Sequence, residues 1–181
     1  SMSGIAGIIG GQMGGSKMVL MRQWDVDEAL RLAREEAVTT LGGIPAMARS
    51  LFEHPKISEL GIDIRGVPLG GAAVAPDLPL KALEVFGASA QIFNGYGLTE
   101  TTSAVVTNVG AEFAARPDSV GRPNLTADVK IVDLDDQEVE VGQVGEICMR
   151  SPQVVKGYWN DDAGTAAAFV DGWFHSGDLG Y

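Results

Sequence analysis

Ser89-Ala-Gln-Ile-Phe-Asn-Gly-Tyr-Gly-Leu-Thr-Glu100 reads as a short strand that stops in a glycine-rich loop. Ser89 to Asn94 forms the strand, and Gly95 and Gly97 break it on either side of Tyr96. Upstream, Pro76 begins a helix to about Phe86, which Gly87 ends. Before that helix, Ile64 to Leu69 reads as another strand despite Pro68, closed by Gly70-Gly71. Pro45 opens a helix through about Glu53, and the β-branched Val38-Thr-Thr-Leu41 reads as a buried strand. Asp25 offers an N-cap to a helix from Val26 in which Ala29, Leu30, Ala33 and Ala37 recur at spacings of three and four. Its first turn carries Asp27 and Glu28. Lys17 to Met21 is a short apolar run with a strand-like look. Strands and helices therefore alternate up to about residue 107, the pattern of an α/β layer with a mainly parallel sheet and flanking helices.

Downstream of about Val109 turn residues crowd in: Pro117-Asp118, Gly121, Pro123-Asn124, Asp135-Asp136 and Gly142. Between them Ala127 to Asp133 and Gln143 to Arg150 alternate in polarity. This part reads as a small antiparallel β-barrel-like subdomain. The expected division is 1–108 for the α/β part and 109–181 for the β part. Asp133 to Glu140 reads as a solvated hairpin tip, and Asp161 as the cap of a short helix through Ala168. Ser1-Met2 looks like a cloning scar. The apolar stretch from Gly4 to Met21 is too interrupted by glycine for a membrane span and lacks the basic start of a signal peptide, so it reads as a packed helix or buried connection.

With 181 residues, 45% hydrophobic and 20% charged, the chain can bury a core and is not disordered. A net charge of −11 without any basic run argues against nucleic-acid binding. An acidic protein that handles nucleotides must use local backbone donors and a metal ion. The single Cys148 excludes an internal disulfide and fits a reducing, cytoplasmic setting; it reads as a buried strand residue.

In open α/β sheets, ligands sit beyond the carboxyl ends of strands. Gly70-Gly-Ala-Ala73 and Asn94-Gly-Tyr-Gly97 are two small-residue loops at such ends, suited to close approach of a planar ligand. Tyr96 offers a stacking face, Thr99 a hydroxyl for a phosphate oxygen and Glu100 a carboxylate for the Mg²⁺ that accompanies a nucleotide. The same residues also make a tight glycine turn with a surface Tyr and a capping Thr. Physical chemistry alone leaves both readings open.

The order and spacing of Gly70-Gly71-Ala72, Tyr96-Gly-Leu-Thr-Glu100 with Thr101-Thr102-Ser103 behind it, Gly145-Glu146-Ile147, Gly157-Tyr158 and Ser176-Gly177-Asp178 resemble the adenylate-forming (AMP-binding) superfamily. The likeness runs from about Val19 onward. Met18 to Pro55 looks closest to its fatty-acyl-CoA ligase branch, and the chain resembles a fragment of the large N-terminal domain. The resemblance implies an adenine pocket from Gly70, Gly71 and Ala72 with Asn94 and Gly95 close by, bordered by Gly97. It implies that Tyr96 stacks on the base, Thr99 contacts the α-phosphate, Glu100 binds Mg²⁺ and Asp178 accepts from the ribose hydroxyls. Ala73, Thr102 and Ser103 would lie toward the acyl pocket.

The implied reaction uses ATP to activate a small-molecule carboxylate, a fatty acid, as an acyl-adenylate; coenzyme A then displaces AMP. No Ser/Thr/Gly-rich phosphate loop ending in Pro-Lys-Gly occurs in this sequence, so the piece alone is expected to lack turnover. A non-catalytic AMP-binding or interaction module, or an aryl- or amino-acid-adenylating enzyme, are the alternatives. Apolar surface normally covered by the rest of such a fold leads to an expectation of self-association. His175, next to the loop that bears Asp178, reads as structural rather than catalytic, and Trp159 and Trp173 as packing anchors.

Overall fold

The computed structural model describes residues 2–59 and 61–181; Ser1, half of the expected scar, lies outside them. The chain is α/β and divides into two compact units. One comprises Ser3–Tyr96 together with Thr107–Arg122; the other comprises Met2, Gly97–Val106 and Pro123–Tyr181.

The first unit is built on a βαβ motif. Strand β1 (Gly66–Gly70) and strand β2 (Gln91–Tyr96) pair in parallel, with Leu69 opposite Asn94 and Gly70 opposite Gly95. Between them runs helix α4 (Asp77–Phe86), ended by Gly87 at φ 86°. Leu78 and Ala82 on its inner face are fully buried, one helical turn apart, so the amphipathic pattern seats the helix on the core. β3 (Val106–Val109) and β4 (Arg122–Pro123) extend the sheet in the order β1-β2-β3-β4.

Helix α2 (Val26–Glu35) begins as its sequence signals. Asp25 accepts a hydrogen bond from the Glu28 amide at 2.8 Å, and Ala29, Leu30 and Ala33 are buried. Asp25→Ala is expected to cost about 1 kcal/mol, the usual value of an N-cap, read as a lower midpoint in urea unfolding. Helix α3 (Pro45–Phe52) contributes Ala48, Leu51 and Phe52 to the same core.

Three local expectations are corrected. Lys17 to Met21 is not a strand; Leu20 is 72% exposed and the segment has no ladder partner to make it one. Val38 to Leu41 is reduced to a parallel bridge from Thr40 to Gly66, with another from Gly43 to Leu69. Gly42 explains the closeness of this edge: a Cβ there would stand 2.2 Å from the Pro68 carbonyl oxygen. Finally, Gly110–Ala115 is a helix, α5, inside the stretch read as β. It is too short for a periodic signal, yet its Phe113 is fully buried in the main core. The N-terminal apolar stretch forms helix α1 (Met2–Met13), whose Ile5, Ile9 and Met13 are exposed rather than packed.

The second unit holds a curled antiparallel sheet of order β5-β6-β8-β7. Its strands are β5 (Asp128–Val132), β6 (Gly145–Arg150), β7 (Phe169–Val170) and β8 (Trp173–Gly180). The acidic run is a hairpin tip as expected: Asp133 Oδ1 accepts from the amides of Asp135 and Gln137, and Asp136 takes φ 57°. Helix α6 (Asp162–Ala168) is capped by Asp161, which accepts from the Gly164 amide. Trp173 is a packing anchor, its ring stacked by Lys130 at 4.7 Å and Arg150 at 4.5 Å. Trp159 is not: it is 92% exposed.

Candidate active site

In the first unit the parallel register brings the two small-residue loops together. Gly70 lies opposite Gly95 at the carboxyl ends of β1 and β2. A Cβ on Gly70 would meet the Gly95 carbonyl oxygen at 2.8 Å and the buried Asn94 Oδ1 at 3.5 Å. Gly70 and Gly71 hold φ 145° and 75°, values that favour glycine. Gly71, Ala72 and Ala73 are exposed beyond the strand end, and Tyr96 is half-buried at the end of β2. The result is a ledge of backbone and small side chains with one aromatic ring following, at the place where open α/β sheets bind ligands.

In the second unit residues 97–104 form a tight turn locked from inside. A Cβ on Gly97 would lie 2.1 Å from the Ser103 carbonyl oxygen, so only glycine lets the turn close. Thr101, fully buried, accepts from the Leu98 amide at 2.8 Å and donates to the Ser103 carbonyl at 2.7 Å. Thr102 and Ser103 sit at φ 54° and 125°. Non-glycine residues held there store of order 1–3 kcal/mol each, which the surroundings must offset. Gln153 supplies part of that: its Nε2 donates to the carbonyls of Thr101 and Ala104, and its own carbonyl accepts from the Thr102 hydroxyl at 2.6 Å. The Val155 amide donates to the Glu100 carbonyl.

The turn presents Thr99 to solvent and Glu100 half-buried. Glu100 Oε1 accepts a hydrogen bond from Tyr158 Oη at 2.8 Å. That bond, with a little burial, raises the phenol above its usual value, so Tyr158 stays a donor at neutral pH. One carboxylate oxygen is thereby fixed and the other can ligate a hard cation. Mg²⁺ commonly takes one or two protein carboxylates and completes its shell with phosphate oxygens and water, so Glu100 fits. Tyr158→Phe is expected to weaken binding of magnesium-ATP about fivefold (~1 kcal/mol) and leave metal-free AMP binding unchanged, measured by calorimetry.

Asp178 is exposed on β8, and the ladder explains how it is presented. Glu146 pairs with Leu179 and Cys148 with His175, so two steps along β6 face four along β8. Ser176, Gly177 and Asp178 therefore form a bulge, with Gly177 at φ 73°. Glu146 holds the bulge: its Oε1 accepts from the Gly177 amide at 2.8 Å and its Oε2 lies 3.0 Å from His175 Nδ1. Burial alone would raise the Glu146 carboxyl, but these two hydrogen bonds outweigh it and hold it below the usual range. Through Glu146, His175 is thus tied to the loop of Asp178.

Cys148 is fully buried on its strand, and burial together with Glu146 pushes the thiol up to about 11. It is protonated at neutral pH and no nucleophile. Sequence reasoning assigned no part to Thr101, Gln153, Tyr158 or Glu146. Gly157-Tyr158 and Gly145-Glu146 stood out as motifs, but their partners are 58 and 31 residues away and only folding pairs them. A cavity of about 750 Å³ in the first unit, lined by Met18, Trp24, Leu32 and Met47 among others, contains none of the anticipated site residues.

The first unit thus offers a glycine ledge at parallel strand ends, and the second a strained, internally bonded turn presenting a threonine and a carboxylate. The particular family follows from direct comparison. Residues 1–159 match the family model described as AMP-binding enzyme, and the chain belongs to that family. It is 34% identical over 166 residues to a feruloyl-CoA synthase of Amycolatopsis sp., covering 91% of this chain and 33% of the relative. It is 33% identical over 168 residues to the medium/long-chain-fatty-acid–CoA ligase FadD8 of Mycobacterium tuberculosis, covering 91% of this chain and 29% of that one. Its structure superposes on the o-succinylbenzoate coenzyme A synthetase of Bacillus subtilis, solved in complex with ATP and magnesium ion, with TM-score 0.84 and 31% identity. That match covers 99% of this chain and 37% of the synthetase. The chain spans about a third of the length of the curated relatives it matches.

Proposed function

We propose that this chain carries the nucleotide-binding part of an ATP-dependent acid–thiol ligase whose carboxylate is a fatty acid. The observation that carries the reading is the hydrogen bond from Tyr158 to Glu100 of the locked 97–104 turn, which leaves a positioned carboxylate oxygen beside the exposed Thr99. Gly70, Gly71, Ala72, Asn94, Gly95 and Gly97 border the adenine, Tyr96 stacks on it, and Asp178 accepts from the ribose hydroxyls. Thr99 donates to an α-phosphate oxygen. Glu100 holds Mg²⁺, which when bound neutralises the triphosphate charge.

The acid's carboxylate oxygen attacks the α-phosphorus, and pyrophosphate leaves from the opposite side. The coenzyme A sulfur then attacks the acyl carbon and AMP departs. Positioning and charge neutralisation carry such substitutions, so a pre-strained turn is suited to the work. Ala73, Thr102 and Ser103 face the acyl group in this reading, although the Thr102 hydroxyl is already bonded to Gln153. A cytoplasmic setting fits the single buried thiol; among the described residues no helix is long and apolar enough to cross a membrane. The exposed Ile5, Ile9 and Met13 support self-association of this piece.

Calorimetric titration of the chain with nonhydrolysable acyl-adenylate analogues tests the assignment. Tyr96→Ala and Asp178→Asn are each expected to weaken binding by ~1 kcal/mol or more. Undiminished binding by both variants would overturn the nucleoside roles. The likeness to a feruloyl-CoA synthase favours an aryl acid as the second reading. An alkyl-adenylate analogue binding more tightly than an aryl one supports the fatty acid, and the reverse order replaces it.

A further inference from the structure

Three ligating side chains of different chemistry converge on the bulged edge of the β6–β8 ladder. Glu146 and Cys148 are two residues apart on β6, and His175 on β8 is the ladder partner of Cys148. One ligand atom from each lies within 4.8 Å of the other two. Cys148 Sγ is 3.4 Å from His175 Nδ1, and Glu146 Oε2 is 3.0 Å from the same nitrogen. Asp136 Oδ1, from the hairpin tip, stands 3.9 Å from it. All four residues belong to the second unit.

We propose that Glu146, Cys148 and His175 form a binding site for a divalent transition ion of the zinc class, with Asp136 or a water molecule in the fourth position. The site is separate from the magnesium carboxylate Glu100 and does not rest on the ligase reading.

The distances fit such an ion. Bonds of about 2.3 Å to sulfur and about 2.0–2.1 Å to nitrogen and oxygen, arranged tetrahedrally, put neighbouring ligand atoms roughly 3.3–3.6 Å apart. The separations from His175 Nδ1, 3.4 Å to sulfur and 3.0 Å to oxygen, need shifts of only a few tenths of an ångström, and the sulfur–oxygen pair, within 4.8 Å, closes by at most about 1 Å. A proton satisfies the cluster poorly. Nδ1 has one in-plane lobe, holding either a hydrogen or a lone pair. When it donates to Glu146 it cannot accept from the thiol, and when it accepts from the thiol it leaves a lone pair against the carboxylate. A cation serves all three groups at once.

The donor set selects the ion. Thiolate and imidazole disfavour Mg²⁺ and Ca²⁺ and suit zinc. One thiolate, one carboxylate and a neutral imidazole balance a divalent charge, which matters because Cys148 is fully buried and the His175 side chain is 13% exposed. The surroundings are those of a built site. Gly177 donates to Glu146 Oε1 and so aims Oε2 at the cluster, the kind of outer contact that orients metal-binding carboxylates. Both strands hold their ligands by backbone ladder rather than by loop conformation, which keeps the geometry from drifting. Binding would release the Cys148 proton and pin the bulge that bears Asp178.

Cobalt(II) titration of the tag-free chain, followed by absorption spectroscopy, tests the site. One equivalent is expected to give sulfur-to-cobalt charge-transfer and intense four-coordinate d–d bands that zinc(II) abolishes. Cys148→Ser is expected to lose the charge-transfer band, and Glu146→Gln to weaken cobalt binding tenfold or more. Should the serine variant not fold, weakened cobalt binding and altered d–d bands in folded His175→Ala serve in its place. Absence of a charge-transfer band in the parent, or bands unchanged in folded Cys148→Ser or His175→Ala, would overturn the proposal. Nucleotide binding is scored separately in the calorimetric titration, so either reading can fail alone.

Discussion

Phe113→Ala is expected to lower the stability of the first unit by about 3–5 kcal/mol, the usual cost of emptying a buried phenylalanine site. Phe113 is fully buried, and it packs in one cluster with Leu51, Leu78 and Ile92 from α3, α4 and β2. It sits on a six-residue helix, α5, which cannot hold itself in water and depends on that single anchor. The loss therefore combines missing contacts with release of the helix. Differential scanning calorimetry should register it as a fall in midpoint of roughly 6–20 °C at this chain size. A shift below about 2 °C would mean that the cluster closes over the gap, and that α5 is held by something other than its ring. Phe113→Leu, which keeps most of the volume, should recover the greater part.

Gly97→Ala is expected to abolish nucleotide affinity and to cost about 3 kcal/mol, at the upper end of overpacking effects. The added Cβ would stand 2.1 Å from the Ser103 carbonyl oxygen and 2.8 Å from the Ala104 Cα, both backbone atoms that no rotamer change can move aside. Opening the turn breaks the Thr101 bonds to the Leu98 amide and the Ser103 carbonyl and frees Gln153 from its two acceptors. Glu100 then loses the fixed backbone that presents it to Tyr158. Gly87→Ala provides the contrast: nothing lies within 4 Å of the added carbon there, so its cost is confined to the positive φ of 86°. If Gly97→Ala retains parental affinity in the calorimeter, the turn is not the rigid element described above.

Much of this was legible in the order of residues. The helices α2, α3, α4 and α6 follow from apolar spacing, from Asp25 and Asp161 as caps, from Pro45 as a start and from Gly87 as a stop. These are contacts between residues at most a few positions apart, and near-neighbour chemistry survives without the rest of the chain. Strands β5 and β6 followed from two-residue alternation for the same reason. Lys17 to Met21 and Val38 to Leu41 did not become strands, because strand character is completed by a partner and neither segment has a full ladder. Helix α5 escaped notice because six residues hold less than two turns of periodicity. Burial is a property of place: Trp159 faces solvent, while Trp173 has two cations over its ring.

By itself, the sequence determined the α/β class, the family and the residue types that nucleotide chemistry needs, since motif order and local periodicity are written along one dimension. Tertiary structure alone decided which of those residues are held, and how. It set Tyr158 against Glu100, Gln153 under the strained turn, and Glu146 across the bulge that presents Asp178. It also gathered Glu146, Cys148 and His175 onto one patch of sheet. These pairings join residues tens of positions apart. Their free energy comes from closing long loops around a common core, and no local pattern encodes where such a loop will close.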